Sequence, residues 1–250
     1  MKEPISNTSK KLVISIVSHG HGMLIEKLLC DLNNHLVNSK LNIKIVITLN
    51  VPEDEGFLLG HSNLSIRVIR NKSKKGFGKN NNYAFNTFKS DFFLVLNPDV
   101  RIKYNLIDPM IEYFSPDIAL IAPKVLSSDG VLQDNFRKFP TILRLIKRKI
   151  ILSKKSDYNV SSMDFHPVDW VGGMFMLFNS EKYIKVRGFD ERYFMYLEDA
   201  DICKRLLEIG FSTIYTPSFE IIHDPRHASR KELRYFLWHV RSMARFLFKI

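Results

Sequence analysis

Cysteine is nearly missing from this 250-residue chain: there are two, Cys30 and Cys203, far apart and each inside a run with helical apolar spacing. They offer no ligands for a disulfide framework or a zinc ribbon, and a reducing compartment is expected. Glycine (11) and proline (10) are also scarce, while 45% of the residues are hydrophobic and spread along the whole sequence. A low-complexity or mainly disordered polymer is thereby excluded. No uninterrupted apolar stretch approaches the ~20 residues that cross a bilayer, and the opening MKEPISNTSKK lacks the apolar core of a secretion signal. The expected location is cytoplasmic, with any membrane contact peripheral. Acidic residues fall short of basic ones, 26 Asp+Glu against 37 Lys+Arg, for a formal charge of +11. That balance favours an anionic partner: nucleic acid, a phospholipid surface or a phosphorylated substrate. The excess is local, because residues 137–155 hold eight basic and no acidic side chains, and residues 223–250 hold seven basic against two acidic.

What is present follows a repeating grammar. LVISIVS (residues 12–18) is a β-branched apolar run, followed by SHGHG and then by Leu24, Leu28, Leu29, Leu32 and Leu36 at helical spacing. The alternation continues through strands at 43–49 and 66–69, a helix over 81–88 and the strand FFLVL at 92–96. Continuous apolar strands of this kind are buried on both faces, which predicts an α/β fold with a mostly parallel sheet, helices on both faces and ligands beyond the carboxyl ends of the strands. A helix at 105–114 and a strand at 118–122 come next, then a basic amphipathic stretch at 141–151 and a polar linker at 153–166. Order resumes at 170–178, with helices at 180–186 and 200–209 and short strands at 212–215 and 219–222. Over 229–250 a helix is expected with Leu233, Phe236, Leu237, Val240, Ala244 and Leu247 along one side and most of its basic residues elsewhere.

Three groups of residues carry chemistry. Asn97, Pro98 and Asp99 end the strand FFLVL, putting a carboxylate where the sheet gives way to a site, although a turn-forming Asp reads the same way. Glu198, Asp199 and Asp201 open a helix after an aromatic run; such residues can merely complement the helix dipole, but clustered carboxylates repel unless a proton or cation lies among them. His223 ends the strand FEIIH, and an oxygen and nitrogen site built from Asp99, His223 and a diphosphate would suit Mg²⁺ or Mn²⁺. A fourth segment, GFGKNNN (residues 76–82), combines Gly76, Gly78, Lys79, Asn80 and Asn81 ahead of a helix and reads either as an anion cradle or as an ordinary Asn-Gly turn. It lacks the Gly-Lys-Ser/Thr of a P-loop, and SHGHG lacks the spacing of a dinucleotide fingerprint.

Taken in order, SHGH (18–21), GFGKNNN (76–82), LNPDV (96–100), RKFP (137–140), VDWVGGMFML (168–177), GFDERYFMYLEDADICKRL (188–206) and the later His223, Trp238, His239 and Arg245 resemble the family 2 glycosyltransferases of GT-A fold, most closely bacterial O-antigen rhamnosyltransferases. The resemblance implies a GT-A domain over residues 1–228, with a nucleotide-binding half at about 11–125 and an acceptor-binding half at about 126–228. Residues 229–250 would form a C-terminal amphipathic helix that meets a membrane or packs on the domain. It implies that Asp99 and His223 hold a divalent cation, with Asn97 in place of the first Asp of the family's Asp-x-Asp signature and so one negative charge fewer. Asn50 stands where the family often has a base-reading Asp. Ser18, His19, Asn71, Gly76, Gly78, Lys79, Asn80 and Asn81 are expected on the nucleotide side, and Trp170, Gly172 and Gly173 on the sugar and acceptor side. Glu198 and Asp199 match the acidic catalytic pair, Asp199 as base. The implied reaction is inverting transfer of rhamnose from dTDP-rhamnose to a lipid-linked or polysaccharide acceptor in surface-glycan assembly. A polyprenyl-diphosphate carrier would suit the basic Arg144, Lys147, Arg148 and Lys149 and an anionic bilayer. A UDP-sugar donor (galactose or N-acetylglucosamine) is the alternative within the family. A sugar-nucleotide pyrophosphorylase would need a Gly-rich loop where SHGHG stands, and a nucleic-acid-binding module would be repelled by the acidic cluster.

Overall fold

The first β-branched run forms β1, Lys11–Ser18, with every residue after Lys11 buried. It lies between β2, Asn42–Leu49, and β4, Phe92–Leu96, both parallel to it, so that Ile14 sits in register with Ile45 on one side and Leu94 on the other. The computed structural model describes residues 9–144, 157–158, 165–223 and 233–249. Lys147, Arg148, Lys149 and most of the linker expected at 153–166 lie outside them.

Beyond β2 the sheet adds β3, Ile66–Arg70, in parallel. Beyond β4 it continues through β10, Phe175–Asn179, β6, Ile118–Leu126, β11, Ser212–His223, and the short β5, Val100–Arg101, with β8, His166–Val168, also on β11. β10 is antiparallel to both β4 and β6, and β5 and β8 are antiparallel to β11. The remaining six strands point one way, so their carboxyl ends share one edge. β10 inserts from the later part of the chain between two earlier strands, which makes the two expected halves a single continuous sheet. A separate ribbon pairs β7, Phe136–Arg137, with β9, Trp170–Val171.

Alternation along the strands divides the core. Leu12, Ile14 and Ile16 pack with Ile25, Leu28, Leu29 and Leu32 of α1, Gly22–Leu36, and with Ile107, Met110 and Ile111 of α3, Ile107–Glu112. Val13, Phe93 and Phe178 face the other way. They meet Ala84 of α2, Phe77–Phe85, Tyr183 of α4, Ser180–Lys185, and Ile202, Cys203 and Leu206 of α5, Glu198–Glu208. Continuous apolar strands thus bury both faces, as the sequence predicts.

Several boundaries differ from expectation. α2 begins at Phe77 rather than Asn81, because Gly76 is extended (φ −66°, ψ 162°) and the Phe77 N–H donates to the Phe194 carbonyl at 3.0 Å. The strands expected at 212–215 and 219–222 are one strand with an irregularity between Thr216 and Glu220. α6, Leu233–Phe248, closes the described chain. Among the described residues no helix is long and apolar enough to cross a membrane. Cys30 and Cys203 are both free thiols.

Candidate active site

One acidic position is built where β4 ends. The Asn97 N–H donates to the Met174 carbonyl at 2.9 Å and the chain turns back into β5, which is anchored to α1 by a two-pronged pair from Arg101 to Asp31 at 2.6 and 2.7 Å. Asp31, with its side chain 11% exposed, also accepts from the Ile102 N–H. Asp99 is held between these fixed points. His223, paired in register with Val100, places Nε2 3.4 Å from Asp99 Oδ1.

Gln133 orients that imidazole. Its amide nitrogen donates to the His223 carbonyl, so Oε1 is the atom that faces the ring, 2.9 Å from Nδ1. In the neutral ring Nδ1 therefore carries the proton and Nε2 turns a lone pair toward the carboxylate. Asp99 Oδ1 is buried without a hydrogen-bond partner among the described residues. Two electron-rich atoms facing each other across 3.4 Å in a partly desolvated place fit a small divalent cation. No cluster of three or more His, Cys, Asp or Glu with ligating geometry occurs among the described residues, so a diphosphate or water would complete such a shell.

A second acidic position opens α5. Tyr196 (φ 73°) and Leu197 (φ 64°) are consecutive left-handed residues, a costly arrangement for side chains of this size, and they turn Glu198 and Asp199 into the protein. Asp199 Oδ1 accepts from the Ala200 N–H at 2.8 Å and Oδ2 from the Gly173 N–H at 3.1 Å. Burial pushes its carboxyl up to about 6, with these two donors and the nearby Arg137 pulling the other way. Glu198, 6% exposed, is raised well above the ordinary range, first by burial and then by the charge of Asp199, and its Oε2 has no partner among the described residues. Burial thus disfavours the charged form of both carboxyls, and only Asp199 has two backbone N–H donors that favour it. Asp201 points elsewhere and pairs with Arg205 at 2.7 Å.

Both acidic positions line one cleft of about 460 Å³ at the carboxyl edge, together with His19, Asn97, Trp170 and Gly173. A larger hollow of about 630 Å³, between residues 85–92 and 179–184, opens at the opposite edge and contains neither acidic pair. Other expected site residues have different surroundings. Asn50 (1% exposed) accepts from Asn71 and the Lys75 N–H, and Asn71 donates to Asn80, which forms a closed amide cluster beside His19. Ser18 accepts from the His21 N–H. Asn81 turns inward, accepting from Ser15 at 2.7 Å. Gly76 and Gly78 make room for the later chain rather than for an anion: a Cβ at Gly76 would lie 2.8 Å from the Phe194 oxygen, and one at Gly78 2.7 Å from Phe189 Cβ. Lys79 is exposed and pairs with Glu191 at 3.4 Å. Gly172 donates to the Asn135 carbonyl. Gly76 and Gly78 thus bracket residues 189–194.

Sequence reasoning assigned no role to His21, Arg137, Met195, Tyr196 or His239, all of which line the cleft, or to Gln133 behind His223. His21, Arg137, Met195, Tyr196 and His239 all stand within the motifs named above, so the signal is present in the sequence without a partner to interpret it. The Arg137 guanidinium lies over the Trp170 ring at 5.9 Å and pairs with Asp134 at 2.9 Å. Burial lowers the proton affinity of both His19 and His239.

Comparison with known proteins now gives this geometry a family. The glycosyltransferase-like family 2 pattern matches residues 34–245, and the chain belongs to that family. It is 33% identical to the rhamnosyltransferase WbbL of Escherichia coli K12 across 94% of this chain and 91% of that protein. A Mycobacterium tuberculosis N-acetylglucosaminyl-diphospho-decaprenol L-rhamnosyltransferase is 27% identical over 68% of this chain and 59% of its own length. Among solved structures, GalNAc-T7 with UDP, GalNAc and Mn²⁺ superposes with a TM-score of 0.67 at 13% identity, covering 90% of this chain and 45% of that one. The mannosyltransferase PcManGT of Pyrobaculum calidifontis, with GDP-mannose and Mn²⁺, gives 0.61 at 13% identity over 96% of this chain and 62% of its own. These likenesses establish the GT-A fold.

The raised Glu198 has a signed consequence for stability. Because the folded state holds its proton above the unfolded value of 4.5, folding is progressively penalised as pH rises past 4.5 toward the folded value. Glu198→Gln removes that penalty. Urea unfolding at pH 5 and pH 8 should show wild type losing stability relative to the variant, and parallel pH dependence of the two proteins would contradict the assignment.

Proposed function

We propose that this enzyme is an inverting rhamnosyltransferase that takes rhamnose from dTDP-rhamnose and attaches it to a hydroxyl of a lipid-linked glycan, at the inner face of a bacterial plasma membrane. The observation that carries the reading is the convergence of Asp99 and His223 with Glu198 and Asp199 in one cleft. The family and the rhamnosyltransferase relatives support the sugar, and the mycobacterial relative's name supports the lipid diphosphate carrier.

In this reading Asp199, ionised near neutral pH and aligned by the Gly173 and Ala200 N–H groups, accepts the proton of the acceptor hydroxyl. The hydroxyl oxygen bonds to the anomeric carbon from the face opposite the diphosphate, the bond from that carbon to the diphosphate breaks, and configuration inverts. Asp99 and His223 would hold Mg²⁺ or Mn²⁺, which when bound offsets charge on the departing nucleoside diphosphate. Glu198, buried beside Asp199 and with its carboxyl raised by burial and by the charge of that neighbour, favours its neutral form. Trp170, which donates to the Lys138 carbonyl and carries Arg137 over its ring, offers a flat wall for a sugar.

Replacing Asp199 by Asn should lower turnover by about a thousandfold while calorimetric affinity for dTDP-rhamnose is kept. Turnover near that of wild type would remove Asp199 as the base, and exclusive binding of UDP-sugars would replace the donor. Asp99→Ala should abolish the part of nucleotide-sugar binding that depends on added Mn²⁺, and an unchanged Mn²⁺ response in titration would overturn the cation site.

A further inference from the structure

α6 has two faces, and the structure uses the unexpected one for packing. At 100° per residue, Trp238, His239, Ser242 and Phe246 lie together on one side. Trp238 packs on Phe194 (4.6 Å between ring centres), His239 on Tyr196 (5.3 Å), and Phe246 joins Tyr193, Leu197 and Ala200, while Ser242 Oγ donates to the Met195 carbonyl at 2.8 Å. The first half of the apolar stripe that the sequence suggests for the helix faces away: Leu233, Phe236, Leu237 and Val240 are 72, 63, 56 and 48% exposed, while Leu247 packs on the Phe246 cluster. Four large apolar side chains at i, i+3, i+4 and i+7 form a continuous patch of the kind that marks an interaction site.

We propose that this stripe docks on an anionic lipid bilayer and so sets the mouth of the cleft at the headgroup level. Charge selects the occupant. Arg234 and Arg241 flank the stripe on one side, and α6 contains no Asp or Glu at all. An apolar strip bordered by arginines matches acyl chains beneath anionic headgroups. A two-fold contact between copies would instead bring the same arginines together on a chain of net charge +11. The placement also has a use, because His239, on the same helix, lines the cleft beside Tyr196. An acceptor carried by lipid would then reach Asp199 without leaving the membrane; this last step rests on the proposed function, whereas docking itself does not.

The test uses the full chain. Wild type should float with vesicles of phosphatidylglycerol and phosphatidylcholine at low salt, less at high salt, and little with phosphatidylcholine alone. Phe236→Ser/Leu237→Ser, both exposed and outside the packing face, should lower the floated fraction about tenfold or more while the thermal midpoint and calorimetric nucleotide-sugar binding stay unchanged. Absence of flotation with anionic vesicles at low salt overturns the proposal, as does equal flotation of the double variant. A wild-type dimer by light scattering that the double variant dissolves, without flotation, would make the stripe a self-association surface and overturn it too. Loss of dTDP-rhamnose binding in wild type would refute the donor and leave docking standing.

Discussion

The site depends on two adjacent residues held in a conformation their side chains disfavour. Tyr196 and Leu197 both adopt positive φ, at on the order of 1–3 kcal/mol each, and this turn leads directly into Glu198 and Asp199 in the cleft. Such strain persists only where surrounding contacts over-determine it. Here Gly76 allows α2 to approach closely enough for the Phe77 N–H to bond the Phe194 carbonyl. From the other side α6 bonds the Met195 carbonyl through Ser242 and packs Trp238, His239 and Phe246 along the same segment. A helix distant in sequence and a glycine near the middle of the nucleotide half thus set the position of the same carboxylate.

Electrostatics in the cleft follow from this placement. Burial raises Asp199 and Glu198 together, but only Asp199 receives two backbone N–H donors, so of the two neighbours Asp199 is the one whose charged form is favoured. Across the cleft Gln133 fixes the His223 ring so that its lone pair meets Asp99. One side of the cleft is suited to receive a proton and the other a cation, a division of labour that a displacement at a sugar carbon requires.

Much of the fold was legible because strands buried on both faces and helices with one apolar side leave unmistakable periods: LVISIVS, IKIVITL and FFLVL read directly as neighbours in one sheet. The ends of β4 and β11 and the start of α5 were legible too, and the structure brings Asp99, His223 and Asp199 to one cleft. Less visible were residues whose role is set by contacts at long range. Gly76 and Gly78 resemble a phosphate loop in one dimension and are packing glycines in three. Asn81 looks like a ligand-facing amide and instead bonds Ser15 beneath the sheet. Gln133 carries no periodic or motif signal for a role, since its partner lies 90 positions away, and Arg137 stands in the RKFP motif while its ring partner Trp170 lies 33 positions on. In α6 the periodicity marks an apolar stripe, but only packing shows that its first half, Leu233 to Val240, is left outside while Leu247 packs on the Phe246 cluster.

The central claim is that a buried, desolvated Asp199 receives the acceptor proton, and the dependence of kcat/KM on pH addresses it most directly. Since the base must be ionised, activity should fall as pH drops through about 6, the value to which burial raises Asp199. An activity that stays level down to pH 4.5, the range of an ordinary solvated carboxylate, would contradict the account.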